Sequence, residues 1–509
     1  MLKNHKQTSL SFHSELYSLV PENHLLKRIH ANVDFSFIND LVKDSYCIFY
    51  GRPANEPELL FRLLFLQFLY NLSDERVIED SQYNLAYKWF LGLNPEDVLP
   101  DPSQLSRFRR HRLGVSQIEK VLEHIVKQCV EKGLIQSKAL IIDSTHSLAN
   151  SVKDKPLDVL KKASNRLLKG IKKQYSLLYE KLPRFPKLEG TDEEKSKQLL
   201  HYLSELTDQL EEQIPNVAGN LKEKLEIAKQ IVKDERLLTN KGIQSAVDPD
   251  ARFGRKSNSK SFYGYKNHIA MTEEEIITAV HVTPGNEVDG KQLQPLVNKT
   301  VEQELIVEEV LADTAYSSKD NLRFLQKEEI DASIPLNPIV YGKREEDLFQ
   351  YEKENSKVIC PAGHTSIGKT KKSRQATSRN PYYKFYFDTS ICRQCPLSEG
   401  CYNNTKEKAY TVTIKSEEHQ KQIAYLESDK YRQRKNVRSR IEHKNAELKN
   451  AHGMTRAKYR GQFGMQIQTF LTAFVVNVKR MIKLQEAPNK ECVLFHLLAI
   501  FPGVTLISS

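Results

Sequence analysis

Two aspartates each follow a short apolar stretch of the kind that forms a buried strand. Asp143 closes the sequence KALIID, and Asp313 closes VEEVLAD. Either residue alone could be a turn or helix-capping aspartate, but the pair lies at the ends of two predicted strands, where α/β sheets collect their ligands. Carboxylate oxygens are the ligands that Mg²⁺ prefers, so the pair predicts metal-dependent chemistry on a phosphodiester.

A third carboxylate is expected from a helix near the end of the chain, NVRSRIEHKNAELKNAHG. Glu442 lies four residues after Arg438 and seven before Lys449, and these offsets share one helix face. Cations on that face would flank a metal-bound carboxylate and reach DNA phosphates. An ordinary helix with salt-bridging charges explains the spacing too. Glu447 is the competing third ligand, although it points roughly 140° away from Glu442.

Residues 1–133 are predicted to form an all-α N-terminal domain. Pro57 should open the apolar helix ELLFRLLFLQFLY, and Ser73 and Asp101 should cap the next two helices. A further helix should end near Gly133. Short helices in this arrangement are typical of DNA-binding domains of the helix-turn-helix type.

The most basic of these helices, PSQLSRFRRHRLG, is the candidate DNA reader. Its arginines would contact phosphates or the major groove. A solvated basic face on an ordinary helical bundle is the alternative. The three arginines proposed to bind DNA are Arg107, Arg109 and Arg110.

An α/β pattern begins after the helical domain. The predicted strands and helices follow the order β, insertion, β, β, α, β, α, β. Residues 134–150 and 246–339 therefore form the first part of a core, and helices at 426–485 complete it. The first of these is expected to be a single basic helix from about residue 428 to residue 450. Residues 486–509 are predicted to be a loosely attached tail.

Two insertions interrupt this core. Residues 151–245 are rich in lysine and glutamate with helical periodicity, which predicts a helical hairpin or coiled coil. Its lysines could face solvent or touch DNA. Residues 340–425 combine aromatic-rich strands with clustered cysteines and form a Cys-rich β insertion.

Four of the seven cysteines lie in CPAGH and CRQCPLSEGC, a spacing typical of a zinc knuckle. A small insertion of this kind would gain stability from a structural Zn²⁺, with His364 as a substitute ligand. Reduced thiols without a metal are the alternative. The four candidate ligands are Cys360, Cys392, Cys395 and Cys401. The remaining three, Cys47, Cys129 and Cys492, stand in apolar surroundings and are expected in the core.

The composition points to a polyanionic partner. The formal net charge is +11, with an isoelectric point near 9.0, and nucleic acid is the usual partner of so basic a chain. The segment KSNSKSFYGYK, which includes Lys266, mixes lysines with aromatic residues and suits contacts with phosphates and bases. The start has no secretory signal, and no apolar run is long enough to span a bilayer. We therefore expect a cytoplasmic protein with reduced thiols and no membrane partner.

Taken together, these motifs resemble the DDE transposases of bacterial insertion sequences, in the branch with a Y-(2)-R-(3)-E-(6)-K signature. Arg438, Glu442 and Lys449 match the R, E and K, whereas Lys435 stands at the tyrosine position. The strings DSTH, GYKNHIA, VTPGNEVDG and ADTAYSS are similar to this family. So is the N-terminal stretch GRPANEPELLFRLLFLQFLYNLSD with PDPSQLSRFRRH. The resemblance covers most of the chain, from about residue 10 to about residue 480.

The resemblance implies an α/β RNase H-like catalytic core with helical and zinc-knuckle-like insertions, preceded by an all-α N-terminal domain. It implies that Asp143, Asp313 and Glu442 bind two Mg²⁺ (or Mn²⁺) ions for DNA cleavage and strand transfer. The partners would be double-stranded DNA, namely the terminal inverted repeats of the element and a target duplex. We expect a homodimer on DNA, acting at the bacterial nucleoid.

Two alternatives remain open at this point. An RNase H-like nuclease or resolvase would cut DNA without joining it, and a domesticated relative would bind DNA without catalysis. His268 could lie near the site but is expected to be structural. The candidate DNA-binding residues are Arg438, Lys449, Lys435, Arg107, Arg109, Arg110 and Lys266.

Overall fold

The computed structural model describes residues 12–47, 54–256, 259–337, 348–352, 354–372, 381–403 and 405–486. The tail beyond Glu486, with Cys492, therefore lies outside the described residues, as do the first eleven residues of the predicted N-terminal domain.

The described N-terminal region is helical, as predicted. Its helices are α1 (Phe12–Ser18), α2 (Leu25–Asn32), α3 (Phe37–Val42), α4 (Pro57–Leu69), α5 (Asp74–Tyr83), α6 (Leu85–Phe90), α7 (Pro102–Arg107) and α8 (Gly114–Glu131), with a 3₁₀ turn at Lys43–Ser45 and a π-helical turn at Phe108–Leu113. Pro57 opens α4, whose apolar residues are almost all buried. The side chains of Ser73 and Asp101 accept hydrogen bonds from the first turns of α5 and α7, which confirms both predicted caps.

The strand β1 (Ala139–Leu148) follows and leads into the helical insertion. The insertion consists of α9 (Pro156–Gln174), α10 (Ser176–Lys181), α11 (Asp192–Gln213) and α12 (Gly219–Lys233). These helices pack around a hydrophobic core of their own, built largely from leucines. The insertion is therefore a small bundle, not a two-helix hairpin or coiled coil.

The order of strands and helices is the predicted one, except that an additional short strand follows the insertion. The central sheet is assembled from β1 and five later strands. They are β2 (Arg252–Arg255), β3 (Ser261–Thr272), β4 (Ile277–Pro284), β5 (Glu309–Leu311) and β6 (Asp331–Ser333), with α13 (Leu293–Val301) and α14 (Lys319–Lys327) between the last three. β3 pairs antiparallel with β1, β2 and β4, whereas β5 pairs parallel with β1 and with β6. The sheet order is thus β4-β3-β1-β5-β6, with β2 also paired to β3.

The Cys-rich segment forms a separate small unit. It contains β7 (Gln350–Glu352), β8 (Lys357–Ile359), β9 (Gly368–Lys372), β10 (Tyr382–Phe387), α15 (Thr389–Arg393) and β11 (Lys408–Thr413). Among the described residues, its core has three fully buried hydrophobic side chains, those of Val358, Phe385 and Phe387.

Four helices end the described chain: α16 (Glu417–Leu426), α17 (Asp429–Arg434), α18 (Ser439–Asn450) and α19 (Gly461–Glu486). The single basic helix expected from about residue 428 to 450 is interrupted. α17 ends at Arg434, whose guanidinium binds Glu309 and Glu273 on the sheet, and α18 starts only at Ser439. Among the described residues, α19 included, no helix is long and apolar enough to cross a membrane.

The two faces of the central sheet bury different partners. One face carries Ile141 and Leu311 and shares a single hydrophobic core with the N-terminal helices, α18 and α19. The other face carries Leu140 and Val310 and packs against α13 and α14. The N-terminal helices are therefore continuous with the core of the sheet.

Arg109 lies inside this arrangement, in the π-helical turn. Its side chain is 4% exposed, and its guanidinium pairs with Asp74 at 2.6 Å. The guanidinium also lies over the ring of Tyr459, 4.7 Å from the ring centre. Gln67 accepts a further hydrogen bond from it. The arginine predicted to contact DNA instead joins α5 to the segment before α19, because it lies on the buried face of the π-helical turn. Leu105, Phe108 and Leu113 are buried beside it.

We predict that Arg109→Ala destabilises the fold by about 3 to 5 kcal/mol, because it leaves the Asp74 carboxylate without its buried partner. Unfolding by urea, followed by the fluorescence of Trp89, measures the change. Arg110→Ala is the matched control, because Arg110 is half-exposed and its ion pair with Glu223 should contribute at most about 1 kcal/mol. Equal losses in the two variants would contradict the structural role of Arg109.

Candidate active site

The parallel pairing of β1 with β5 brings the two predicted aspartates to one edge of the sheet, at the carboxyl end of β5. Asp313 follows the end of β5 as predicted, but Asp143 does not close its strand, because β1 continues to Leu148. Ile141 is paired with Leu311 in the register. Asp143 and Asp313 each follow two residues later, so both belong to the face that carries Ile141 and Leu311. Asp313 also caps the 3₁₀ turn Thr314–Tyr316, where its carboxylate accepts the N–H of Ala315 at 2.8 Å.

Both carboxyl groups are in an unfavourable environment for negative charge. Burial raises the pKa of Asp143 to about 6, and the charges of Asp313 and Asp289 add to this effect. A backbone hydrogen bond from Ser144 and the charge of Arg438 oppose it. Burial likewise raises the pKa of Asp313. A bound cation would offset this cost.

Helix α18 packs against the same edge. Ile441 and Leu448 anchor the helix in the shared core. Asn445 lies on the side facing β1, where its amide donates a hydrogen bond to the Asp143 carboxylate at 3.1 Å. This contact fixes which side of the helix is turned toward the two aspartates.

Glu442 lies one turn before Asn445 on that side. Its side chain is 58% exposed and accepts a hydrogen bond from Arg438 at 2.8 Å. Arg438 is close enough to both aspartates to lower their pKa values. In the described part of the chain, no three His, Cys, Asp or Glu side chains are gathered closely enough to hold a metal ion. Glu442 therefore lies on the side of α18 that faces β1, with its carboxylate bound by Arg438.

Glu447, the competing candidate, occupies the other side of α18. Its carboxylate is bound by Lys444 at 2.9 Å and by Lys479 of α19 at 2.6 Å. Burial alone would raise its pKa, but these two ammonium groups hold the pKa of Glu447 down at about 2. Glu447 therefore joins α18 to α19 and does not face the aspartates.

Cationic side chains surround the aspartate pair. Lys449 is half-buried, and its pKa is lowered by burial and by Lys256, while the charge of Asp143 opposes this shift. Burial and the charges of Lys449 and Lys256 lower the pKa of His146 to about 4. Lys449, Lys256 and Arg438 thus form a positive rim beside two carboxylates, an arrangement that suits a phosphodiester.

The other candidate DNA-binding residues differ in exposure. Arg107 and Arg110 are exposed on the turn that buries Arg109, and Lys435 is exposed between α17 and α18. Lys266 is 13% exposed and bound to Asp289 at 2.9 Å, so it is directed into the site. His268 is fully buried and bonded to Thr283, in agreement with a structural role.

Two residues of the site were not identified from the sequence. Asn445 lies three residues after Glu442. Offsets of three, like the offset of seven between Glu442 and Lys449, place residues on one helix face, so this position could have been found from the sequence. Asp289 follows the end of β4, which runs in the same direction as β1 and β5. Its position at the same sheet edge could have been inferred from the strand order once the pairing was known.

The cysteines differ from one another in their surroundings. Cys129 is buried, as predicted, whereas Cys47 is exposed and does not belong to the core. The four clustered cysteines and His364 line one cavity of about 660 Å³ in the Cys-rich unit. Burial raises the pKa of Cys392, with contributions from the other three thiols, so the four sulfurs lie near one another.

The pKa of Asp143 generates a prediction about stability. Because its folded-state pKa is about 6, ionising Asp143 costs more in the folded than in the unfolded chain, and this cost grows between about pH 4 and pH 6. In EDTA, Asp143→Asn should therefore be more stable than the wild type at pH 8, by about 1 to 3 kcal/mol, with a gain that vanishes near pH 4.

Glu447→Gln should behave in the opposite way. The ion pairs that lower the pKa of Glu447 stabilise the fold above about pH 4.5, and this contribution is lost as the pH falls toward 2. Chemical unfolding of the three proteins across this pH range measures both effects. A gain for Asp143→Asn that does not depend on pH would rule out the cost of ionising Asp143 as its cause.

Two family models match the chain, one before and one after the strands of the central sheet in sequence. One, described as a transposase domain (DUF772), matches residues 14–111, and the other, described as a transposase DDE domain, matches residues 359–482. The first covers most of the N-terminal helices. The second covers the Cys-rich unit and the C-terminal helices with Glu442, so Asp143 and Asp313 lie between the two matches.

A short relative is also found among curated proteins. A protein of Rhizobium meliloti described as "Uncharacterized protein ORF8 in nfe locus" is 29% identical over 92 residues, which is 18% of this chain and 44% of that protein. The chain thus matches less than half the length of this relative. The two family models, both described as transposase domains, lie in one chain and support an insertion-sequence DDE transposase.

Proposed function

We propose that this transposase catalyses metal-dependent cleavage and strand transfer of DNA at the ends of an insertion sequence, with Asp143, Asp313 and Glu442 as its catalytic carboxylates. The observation that carries the proposal is the meeting of three distant segments. Asp143 and Asp313 follow the paired residues of β1 and β5, and α18 contacts Asp143 through Asn445. Two half-buried carboxylates at one sheet edge repel each other and destabilise the fold, so stability alone does not explain their placement.

An RNase H-like core is the fold that fits this arrangement. The sheet order β4-β3-β1-β5-β6 combines three antiparallel strands with two parallel ones, and helices connect the last three strands in sequence. The central strand β1 carries the first aspartate, and its neighbour β5 leads to the second. The edge that carries both aspartates is thus also the edge that α18 contacts.

The donor chemistry of this edge suits Mg²⁺ or Mn²⁺. Carboxylate oxygens are hard ligands. Burial, with a smaller contribution from neighbouring carboxylates, raises the pKa values of Asp143 and Asp313, and a bound cation would offset this cost. When bound, such ions activate a water or 3′-hydroxyl nucleophile and stabilise the leaving oxygen. Glu442 would complete the ligand set by turning from Arg438 toward the aspartates, which a rotation of its exposed side chain allows.

The chain's own cations would then hold the DNA. Arg438, once free of Glu442, and Lys449 flank the aspartates and would bind the phosphates next to the scissile bond. Lys435, Arg107 and Arg110 are exposed and would contact the duplex farther away. We leave Arg109 and Lys266 out of this surface, because each is bound to an aspartate inside the protein.

The Y-R-E-K branch remains our assignment from the signature. Three of its four residues are present, and Lys435 replaces the tyrosine. Tyr431 lies one helical turn earlier, half-buried and near Arg438, whose charge lowers the pKa of the phenol against the effect of burial. The substrates would be the terminal inverted repeats and a target duplex. Pairing of two ends predicts a homodimer on DNA, acting at the nucleoid in the cytoplasm.

We predict that purified protein nicks and joins a labelled duplex carrying the end of its element when Mg²⁺ is present, but not in EDTA. Asp143→Asn and Glu442→Gln should each lower the rate by at least about a hundredfold, because each removes a proposed metal ligand. Binding of the same duplex, measured by gel shift, should change little. Glu447→Gln is the matched control on the other side of α18.

Different outcomes would lead to different conclusions. Nicking without joined products would indicate a nuclease or resolvase, and binding without any cutting would indicate a domesticated relative. Cleavage by Glu442→Gln at the wild-type rate would remove Glu442 from the proposed ligands.

We further propose that the Cys-rich unit binds a structural Zn²⁺ through Cys360, Cys392, Cys395 and Cys401. The four thiols line one cavity, and the small core of the unit would benefit from a metal. The sulfurs are near one another without being gathered at bonding distance. Closure around Zn²⁺ therefore requires rearrangement of these side chains.

Elemental analysis of the purified protein should find about one Zn²⁺ per chain if four thiolates form one site. Cys392→Ser combined with Cys395→Ser should abolish it, whereas Cys47→Ser, at an exposed cysteine outside the unit, should not. A wild-type protein without zinc that is nevertheless folded would leave the four residues as reduced thiols.

A further inference from the structure

A third aspartate lies at the edge that carries Asp143 and Asp313. Asp289 begins the 3₁₀ turn Asp289–Gln292 shortly after β4. β4 runs parallel to β1 and β5 because β3 is antiparallel to both β1 and β4. The carboxyl ends of all three strands therefore meet at the same edge of the sheet, and Asp289 is 22% exposed there.

The fold holds Asp289 against the turn that follows Asp313. A Cβ atom at Gly290 would come within 2.6 Å of the Ala315 carbonyl oxygen, so glycine is required for this approach. Asn321 donates hydrogen bonds to the carbonyls of Gly290 and Tyr316, at 2.7 and 3.0 Å. These contacts fix the two acidic segments side by side.

The charge of Asp289 reaches both other aspartates. It contributes to the raised pKa of Asp143 and of Asp313, after burial in each case. Lys266 forms an ion pair with Asp289, and the charge of Arg438 lowers the pKa values of Asp143 and Asp313. Cations of the protein therefore balance the three carboxylates in part.

Two buried polar atoms at this cluster lack a partner among the described residues. The hydroxyl of Tyr316, in a side chain that is 1% exposed, has none, although the charges of Asp289, Asp143 and Asp313 all act on it. The Nδ1 atom of His268 also has none and lies 3.8 Å from the Asp289 carboxylate. An unpaired buried polar group costs about 1 to 3 kcal/mol, so two of them at one acidic cluster point to a ligand.

We propose that Asp289 forms, with Asp143 and Asp313, an acidic pocket that takes a divalent cation in the absence of DNA, before Glu442 turns toward it. The three carboxylates are not gathered at bonding distance, so the cation would draw their side chains together. Tyr316 and His268 would hydrogen-bond to the water molecules of that cation. The inference rests on the proposed function, and it adds a carboxylate to the proposed ligands. It also assigns the first binding event to the sheet, because Glu442 is exposed and paired with Arg438.

The test is the affinity of the DNA-free full chain for Mn²⁺, measured by the electron paramagnetic resonance signal of the free ion. We expect Asp143→Asn and Asp289→Asn each to weaken binding by about tenfold or more. Glu442→Gln should bind nearly as the wild type does. Asp320→Asn, at an exposed position on α14, is the matched acidic control.

Asp289 could instead act only by neutralising Lys266, and a double variant separates the two roles. If Asp289 acts only by neutralising Lys266, Asp289→Asn combined with Lys266→Gln would restore the wild-type affinity for Mn²⁺, because both charges are removed together. We expect the double variant to remain weak. Tyr316→Phe, which removes one hydroxyl, should lower the affinity about two- to tenfold, the equivalent of one hydrogen bond, and gives a second test if Asp289→Asn does not fold.

Wild-type affinity in Asp289→Asn or in the double variant would overturn the inference, as would a wild-type protein that binds no Mn²⁺ without DNA. None of these results would overturn the proposed function, because cleavage of the element end is measured separately. Loss of cleavage in Asp143→Asn with unchanged cleavage in Asp289→Asn would keep the transposase and remove Asp289 from its centre.

Discussion

The parallel register between β1 and β5 is the constraint on which the site depends. Side chains of a strand alternate between its faces, so a shift of one residue would turn one aspartate to the opposite side of the sheet. Ile141 and Leu311 are buried on the face that packs against the helices, whereas Leu140 and Val310 are buried on the other. This burial on both faces prevents the slip, and hydrophobic packing therefore sets the geometry of two charged groups.

The same packing orients α18 without any covalent or local constraint. Ile441 and Leu448 hold the helix in the core, and Glu447 is bound between Lys444 and Lys479. With that side fixed, Asn445 and Glu442 must face the sheet edge. The break between α17 and α18 contributes, because it places Arg438 at the start of α18, where its guanidinium reaches both Glu442 and the aspartates.

The N-terminal helices belong to this construction as well. They share one hydrophobic core with the sheet, and Arg109 links α5 to the segment before α19 through Asp74 and Tyr459. The surface that carries Arg107 and Arg110 is therefore joined through this core to the sheet face that carries Asp143 and Asp313. The helical insertion has its own core and touches this surface through the pair of Arg110 with Glu223.

The sequence by itself determined the local structure and the chemical class of the site. Apolar runs, caps and prolines located most helices and strands, because these signals act within a few residues. The apolar stretches before Asp143 and Asp313 and the spacing around Glu442 named the candidate carboxylates, although β1 continues beyond Asp143 to Leu148. Only the tertiary structure decided how distant segments pair with one another. These pairings turned Arg109 inward, interrupted the basic helix, and brought Asp289 and Asn445 to the aspartates. Such outcomes depend on which buried faces meet, and contacts between residues a hundred or more positions apart leave no periodic trace in the chain.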